Sequence, residues 1–396
     1  MTYVSHKTRI YPNKTTIKLL DSYFNYRRAI WNRALTVWND AYDEHLINAN
    51  QSPTPTWQSV RNELVSNKTD YDVMFPSTIL KSTCNQLGKA WKMYFDKTLT
   101  KFNRPVFKSK KNTKQSFTVE NETSRVMIKN NKLVLPISRD LKHKSYGIRL
   151  AEQPRFKGIV KVLTISKDVT GYYVSFIIKL DEPIPTIKTG LSVGVDANIK
   201  HFDSKDDSVN ILPDRLLSLY EDVTYYQRAL AKKRSTNHQF KSNNYRKVIT
   251  KLQRAYLDIN RIQLDILHKY TKQLVKKFDY IAIENLDVTQ MKMNKRLAKN
   301  LHRSLFGKFK EMIVQKATMY DKTVYKVDRF YPSTQTCSGC GNIKTNDSYG
   351  GKHSLSGDSI YHQHQTYRCY ECGLVIDRDI NAYTNIEHKM LQELQI

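Results

Sequence analysis

Leu191-Ser-Val-Gly-Val-Asp196 and Tyr280-Ile-Ala-Ile-Glu284 set the fold of the second half of the chain. Each is a short apolar run of strand length that stops on a carboxylate, and nothing else in either run calls for charge. Helical periodicities over residues 216–233 and 246–277 lie between them, and a further strand pattern covers 323–328. Strands alternating with helices in this way predict an α/β unit around a mixed sheet. A last helix is expected over 380–394, opened by Asp377-Arg-Asp379. Two strand ends and one helix start can bring Asp196, Glu284 and Asp379 to one sheet edge, although 88 residues separate the first two and 95 the last two. Clustered buried carboxylates need a counter-ion, and hard oxygen donors select Mg2+ or Mn2+. Two such ions ~3.5–4 Å apart activate water and stabilise the leaving oxygen of a phosphodiester, which is nuclease chemistry. A lone acid at a strand end more often caps a loop or pairs with a cation, so the weight rests on the three together.

Upstream, the patterning is different. Residues 3–11 read as an extended segment, closed by Pro12-Asn13 and followed by helical apolar spacing over 16–48. Pro53 and Pro55 interrupt it, and a second helix is expected over 77–102. From Ser116 to Leu180 short β-branched or alternating runs follow one another (117–119, 125–128, 132–135, 159–165 and 172–180), with Gly171 at a hairpin turn. They predict a small antiparallel barrel into which the helices are inserted, since the first strand precedes them. Pro183, Pro185 and Gly190 mark a linker.

Cys337-Ser-Gly-Cys340 and Cys369-Tyr-Glu-Cys372 stand twenty-eight residues apart, with Gly339, Gly341 and Gly373 where knuckle turns wrap a metal. Two thiolate pairs at that spacing close a tetrahedral Zn2+ site with no open position, so the predicted zinc is structural. His353, His362 and His364 could compete as ligands; the four cysteines are preferred. Cys84 sits at an apolar helix position and is expected in the core. Cysteine usage of this kind fits a reducing cytoplasm better than a disulfide framework.

The 65 Lys plus Arg against 37 Asp plus Glu leave a formal charge of +28, which calls for a polyanionic partner. The cations are dispersed in stripes: nine lie between Val223 and Leu257, where no acid occurs, and others cluster around 101–114 and 288–310. No amphipathic anchor or lipidation signal gathers them, and no run approaches a membrane span, so nucleic acid is favoured over a membrane. Twenty-five tyrosines supply flat groups able to stack on unpaired bases. Residues 1–9 carry His6, Lys7 and Arg9 where a secretory signal would need an apolar core.

Taken in order, Gly194-Val-Asp196, Ile283-Glu-Asn-Leu-Asp-Val288, Val327-Asp-Arg-Phe-Tyr-Pro-Ser333, the cysteine pairs and Asp377-Arg-Asp-Ile-Asn-Ala382 resemble TnpB, the transposon-encoded RNA-guided endonuclease family related to type V CRISPR effectors. Lys7-Thr-Arg-Ile-Tyr-Pro12, residues 27–32, Phe107-Lys-Ser-Lys-Lys111 and residues 172–176 extend the resemblance through the first half. It implies a multidomain α+β and α/β architecture: a wedge β-barrel (1–12 and 104–185), a helical recognition insert (13–103), a RuvC nuclease domain of RNase H type (186–331 and 375–396) and an inserted zinc ribbon (332–374). The implied catalytic, Mg2+-binding acids are Asp196, Glu284 and Asp379, with Asp377 the near alternative to the last. The implied partners are a guide RNA from the transposon right end and double-stranded target DNA, of which the protein reads a short flanking motif. The implied location is a prokaryotic cytoplasm, on the nucleoid when bound to DNA. Lys81 is a candidate DNA contact by the same resemblance, and Lys108, Lys110, Lys111, Arg234, Arg296 and Arg303 are candidate nucleic-acid contacts from the basic stripes. Relatives that have lost the acids act as RNA-guided repressors; the acids retained here favour cutting, while a strand-joining transposase on the same fold is a weaker third reading. Ala197-Asn198 departs from the glycine-containing turn expected after the first acid.

Overall fold

The computed structural model describes residues 2–48, 53–98, 102–111, 114–121, 127–135, 147–182, 184–233, 242–286, 305–345 and 365–396. The chain divides into two compact units, residues 1–182 and 183–396.

The first unit is built on a seven-stranded antiparallel sheet in the order β2-β6-β7-β1-β5-β4-β3. Its strands are β1 (Tyr3–Tyr11), β2 (Gln115–Glu120), β3 (Met127–Lys129), β4 (Lys132–Val134), β5 (Gly147–Leu150), β6 (Gly158–Asp168) and β7 (Gly171–Leu180). Alternate residues of β1 are buried, namely Val4, His6, Thr8 and Ile10, which is the period-two signature of one face turned to a core. Between β1 and β2 the chain makes α1 (Lys14–Ile47), α2 (Trp57–Ser66), α3 (Asp70–Val73) and α4 (Ser77–Phe95). Two of these helices answer to the helical patterns over 16–48 and 77–102, and α1 and α4 pack on β2.

Three expectations change. The sheet is open among the described residues, with β2 and β3 as its edges, so it is a half-barrel and not a closed barrel. The second long helix stops at Phe95 instead of 102, because Asp96 turns extended and its carboxylate accepts hydrogen bonds from the Thr98 amide and hydroxyl. That local bond competes with the helix ladder. The 125–128 run is described only from Met127, and its hairpin turns on Asn130 and Asn131, both at positive φ, as a two-residue loop between antiparallel strands demands.

The second unit holds a mixed five-stranded sheet, β10-β9-β8-β11-β12. Here β8 (Ser192–Ala197), β11 (Tyr280–Glu284) and β12 (Thr323–Val327) are parallel, while β9 (His201–Ser204) runs antiparallel to β8 and β10 (Asp207–Asn210) pairs antiparallel with β9. Helices α5 (Asp214–Lys232) and α6 (Asn243–Lys277) form the crossover from β10 to β11, and α7 (Phe306–Met319) packs on α6. A core of Val193, Val195, Phe202, Leu267, Tyr270, Leu274, Ile281, Ile283, Phe309 and Ile313 fills one face. The other face is covered by α8 (Arg378–Leu394), which packs Ile386 and Met390 over Ala282 and Val327. A buried ion pair, Lys322 with Asp279, fastens the entry to this sheet, because Asp279 also accepts the Thr189 and Gly190 amides at 2.6 Å. No helix among the described residues is long and apolar enough to cross a membrane.

Gly194 fixes how closely α8 approaches. A Cβ built there would lie 2.0 Å from the Tyr383 carbonyl oxygen and 2.8 Å from the Glu387 amide nitrogen, both backbone atoms. Gly194→Ala must therefore push the helix off the sheet. We expect it to lower unfolding free energy by at least the ~1–3 kcal/mol typical of overpacking, read as a reduced denaturant midpoint at unchanged slope.

Candidate metal centres and acidic site

Asp196 lies near the end of β8 and is 6% exposed. Burial raises its pKa well above the ordinary range, and the like charges of Glu284, Asp379 and Asp203 raise it further, against a smaller opposing effect of Arg378. Glu284, the last residue of β11, is likewise raised by burial, offset in part by a hydrogen bond from the Ser333 hydroxyl at 2.8 Å. Asp379, in the first turn of α8, is raised by burial against the neighbouring Arg378 guanidinium, 3.5 Å away. The two strand ends and the helix start therefore bring the three predicted acids into one electrostatic field.

Asp377 takes a different part. Its Oδ1 accepts the amides of Asp379 at 2.8 Å and Ile380 at 3.2 Å, so it is the N-cap of α8. The cap sets the direction in which the first turn presents Asp379.

Asp203 escaped the sequence reading. It pairs with Asp196 across the β8–β9 ladder, and Asn198 Nδ2 donates to Oδ2 of both at 3.1 Å. Asn198, which departs from the expected turn, thus holds two carboxylates side by side. The short alternating run His201-Phe-Asp-Ser204 was the available signal, since Phe202 and Ser204 are buried and Asp203 lies on the opposite face.

The four cysteines converge. Their sulfurs all lie within 4.8 Å of one another, with Cys337 to Cys372 at 3.6 Å and Cys340 to Cys369 at 3.7 Å. These separations are far beyond a disulfide, and they match the ~3.8 Å edge of a tetrahedron with ~2.3 Å Zn–S arms. The two knuckles repeat the same bonds: Gly341 N to Cys337 O and Cys337 N to Asn342 O, then Gly373 N to Cys369 O and Cys369 N to Leu374 O. Gly341 and Gly373 take φ of 75° and 76°, the left-handed conformation that ends each knuckle. Burial pushes the Cys337 thiol up to about 12, whereas amide and thiol hydrogen bonds overcome burial and bring Cys369 down to about 7. This set can hold a zinc ion. Among the described residues it is the one group of Cys, His, Asp and Glu that draws so close, and the carboxylates do not. His353, His362 and His364 lie outside the described residues.

Ribbon and sheet are linked through α8. Asn381, fully buried, donates to the Thr336 carbonyl at 2.7 Å and accepts the Ser338 amide at 2.9 Å; Asn385 donates to Ser333 and Thr336 carbonyls. One helix therefore presents Asp379 and grips the first cysteine knuckle.

Of the candidate cationic contacts, Lys81 forms an ion pair with Glu120 at 2.9 Å, Lys110 and Lys111 are exposed, and Lys108 is half-buried. Arg234, Arg296 and Arg303 lie outside the described residues. On α5 and α6, Arg228, Lys232, Arg246, Lys247, Lys251 and Arg254 are all exposed, alongside Tyr225 and Tyr256.

Three family profiles match this chain: "Helix-turn-helix domain" over residues 1–46, "Probable transposase" of the IS605 OrfB type over 175–295, and "Cas12f1-like, TNB domain" over 306–386. A Streptomyces pristinaespiralis protein named "Putative RNA-guided DNA endonuclease" is 24% identical over 382 residues, 96% of this chain and 87% of its own. A "TnpB-like protein" of Acanthamoeba polyphaga mimivirus is 26% identical over 254 residues, of which this chain spans only 45% of the viral protein's length. Among solved structures, a Cas12f1 chain from a complex with single guide RNA and target DNA aligns at TM-score 0.55 and 12% identity, covering 98% of both chains. That is a likeness of fold, and it places the architecture with the Cas12f1 class. In sequence and fold the chain is similar to TnpB-like proteins.

Two outcomes follow from the site. Because folding raises the Asp196 pKa, its proton is held to higher pH in the folded state; the resulting penalty is absent below the unfolded carboxylate pKa of about 3.9 and grows as pH rises through the folded value. Asp196→Asn should therefore raise the thermal midpoint of metal-free protein at neutral pH, by ~2–4 °C for each kcal/mol relieved, with the gain vanishing in acid. Replacing Cys337 or Cys369 by Ser should unfold the ribbon, since such sites contribute about 10–16 kcal/mol of local folding energy. Zinc content of the purified variants decides this: one retained zinc per chain would contradict it.

Proposed function

We propose that the chain is an RNA-guided DNA endonuclease in which Asp196, Glu284 and Asp379 hold Mg2+ or Mn2+ and hydrolyse phosphodiesters. The observation that carries this is the shared field of buried Asp196 from β8 and the half-buried Glu284 of β11 and Asp379 of α8, a charge density that protein alone opposes and divalent cations relieve. The donor set suits such ions, being carboxylate oxygens with no thiolate or imidazole among them. When bound, the ions would supply Lewis-acid activation of water and of the scissile phosphate. The chain's own residues position the donors: Asn198 orients Asp196, Ser333 orients Glu284, and the Asp377 cap orients Asp379.

In this reading the first unit supplies the wedge (1–12 and 104–185) and recognition insert (13–103), the second the RuvC domain (186–331 and 375–396) with its zinc ribbon (332–374). The names of the relatives, the Cas12f1 fold and the cationic stripes support a guide RNA pairing with one strand of duplex DNA while the protein reads a short flanking motif. A transposon right end is the proposed source of that RNA.

The test is cleavage of a matched plasmid by the ribonucleoprotein purified with its RNA. Asp196→Ala or Glu284→Ala should reduce the rate by orders of magnitude and leave target binding nearly unchanged, because phosphates and base pairing set affinity. Cutting that survives either substitution would remove the site assignment, and occupancy without cutting by the unaltered protein would make it a repressor.

A further inference from the structure

On α1, two cations lie against the ring of Trp31. The Arg27 guanidinium lies 5.3 Å from its ring centroid and the Lys108 ammonium 3.3 Å. Both groups are half-buried: burial lowers the Arg27 pKa to about 10, and burial together with Arg27 lowers that of Lys108 to about 7. Among the described residues neither has a carboxylate partner; Arg27 donates to the neutral Gln86 Oε1 at 2.8 Å. Withdrawing two like charges from water side by side is costly, and an indole face offsets only part of that.

The placement of Lys108 is built. Trp31 Nε1 donates to the Val106 carbonyl at 3.0 Å, and the Asn32 side chain makes a two-way clasp with Lys108, accepting its amide at 2.8 Å and donating to its carbonyl at 3.1 Å. A helix residue thereby reads the backbone of an irregular segment as a neighbouring strand would. A solvated surface lysine needs no such scaffold. The fold holds a desolvated cation pair in fixed geometry and leaves its counter-charge to be supplied from outside.

Resting on the nucleic-acid reading above, we propose that Arg27, Trp31 and Lys108 form a preorganised site for a backbone phosphodiester. Lys108 meets the phosphate as a point charge and Arg27 offers its planar donors, both against the Trp31 ring. An incoming phosphate supplies the missing anion. The exposed Lys110 and Lys111 beside it would add only screened attraction.

Binding of the full chain to a mixed-sequence RNA hairpin and to a mixed-sequence DNA duplex, each across a salt series, tests this without reading cleavage. Lys108→Gln should lower the salt slope by about one phosphate, ~0.9 for duplex DNA or ~0.7 for single-stranded segments, and Lys108→Arg should restore most of it. Loss on RNA alone assigns the guide backbone, and loss on the duplex alone the target backbone. Unchanged slopes on both overturn the proposal. Because Lys108→Gln could disturb the clasp, acetylation of the unaltered protein gives a second reading: Lys108 should label in the free chain and be shielded by the polymer it contacts. Equal labelling with either polymer bound also overturns it. The endonuclease reading could fail at Asp196 while this result stands, and the reverse.

Discussion

Gathering several carboxylates around one that is buried is the constraint around which the second unit is arranged. Asp196 is buried beside Glu284, Asp379 and Asp203, and each neighbour makes its ionisation harder. A fold optimised for stability alone would remove such a group or pair it with lysine, as it does for Asp279 and Lys322 immediately before β11 and β12. The contrast is instructive because both arrangements sit in the same sheet. At the entry end an acid is neutralised by the protein's own cation; near the far ends of β8 and β11 the acids meet Arg378 and hydrogen-bond donors from Asn198 and Ser333. Strain of this kind persists where function needs it.

Helix α8 carries the consequences. Its approach to β8 is set by the missing side chain at Gly194, its first turn by the Asp377 cap, and its far side by Ile386 and Met390 over Ala282 and Val327. The amides of Asn381 and Asn385 bind it to the lead-in of the first knuckle. A sulfur-bounded structural module and an oxygen-bounded acidic site thus share one rigid element, so distortion at the cysteines would be transmitted to Asp379 by hydrogen bonds already in place.

Much of this was legible from the residues. Asp196 and Glu284 stood out because each ends an apolar strand, and the cysteine pairs announced themselves by spacing and glycines; the sulfurs do converge. Other features depend on contacts no local pattern encodes. Asp203 lies in an unremarkable alternating run and acquires meaning only when β9 folds back on β8. The openness of the first sheet is decided by which edges pair, and the end of α4 by one carboxylate turning back on Thr98. Helix α2 went unanticipated between the prolines and α4; its start depends on a reciprocal cap between Thr56 and Ser59, where serine stands in for the usual glutamate.

The order of these elements along the chain also bears on biosynthesis. A ribosome makes β8 and β11 well before α8, so Asp196 and Glu284 emerge without Asp379 and without the helix that covers their sheet. Until that segment clears the exit tunnel the acidic cluster is incomplete, and a message truncated before it encodes a product lacking one of the three carboxylates. The three acids thus come together only after α8 has been made.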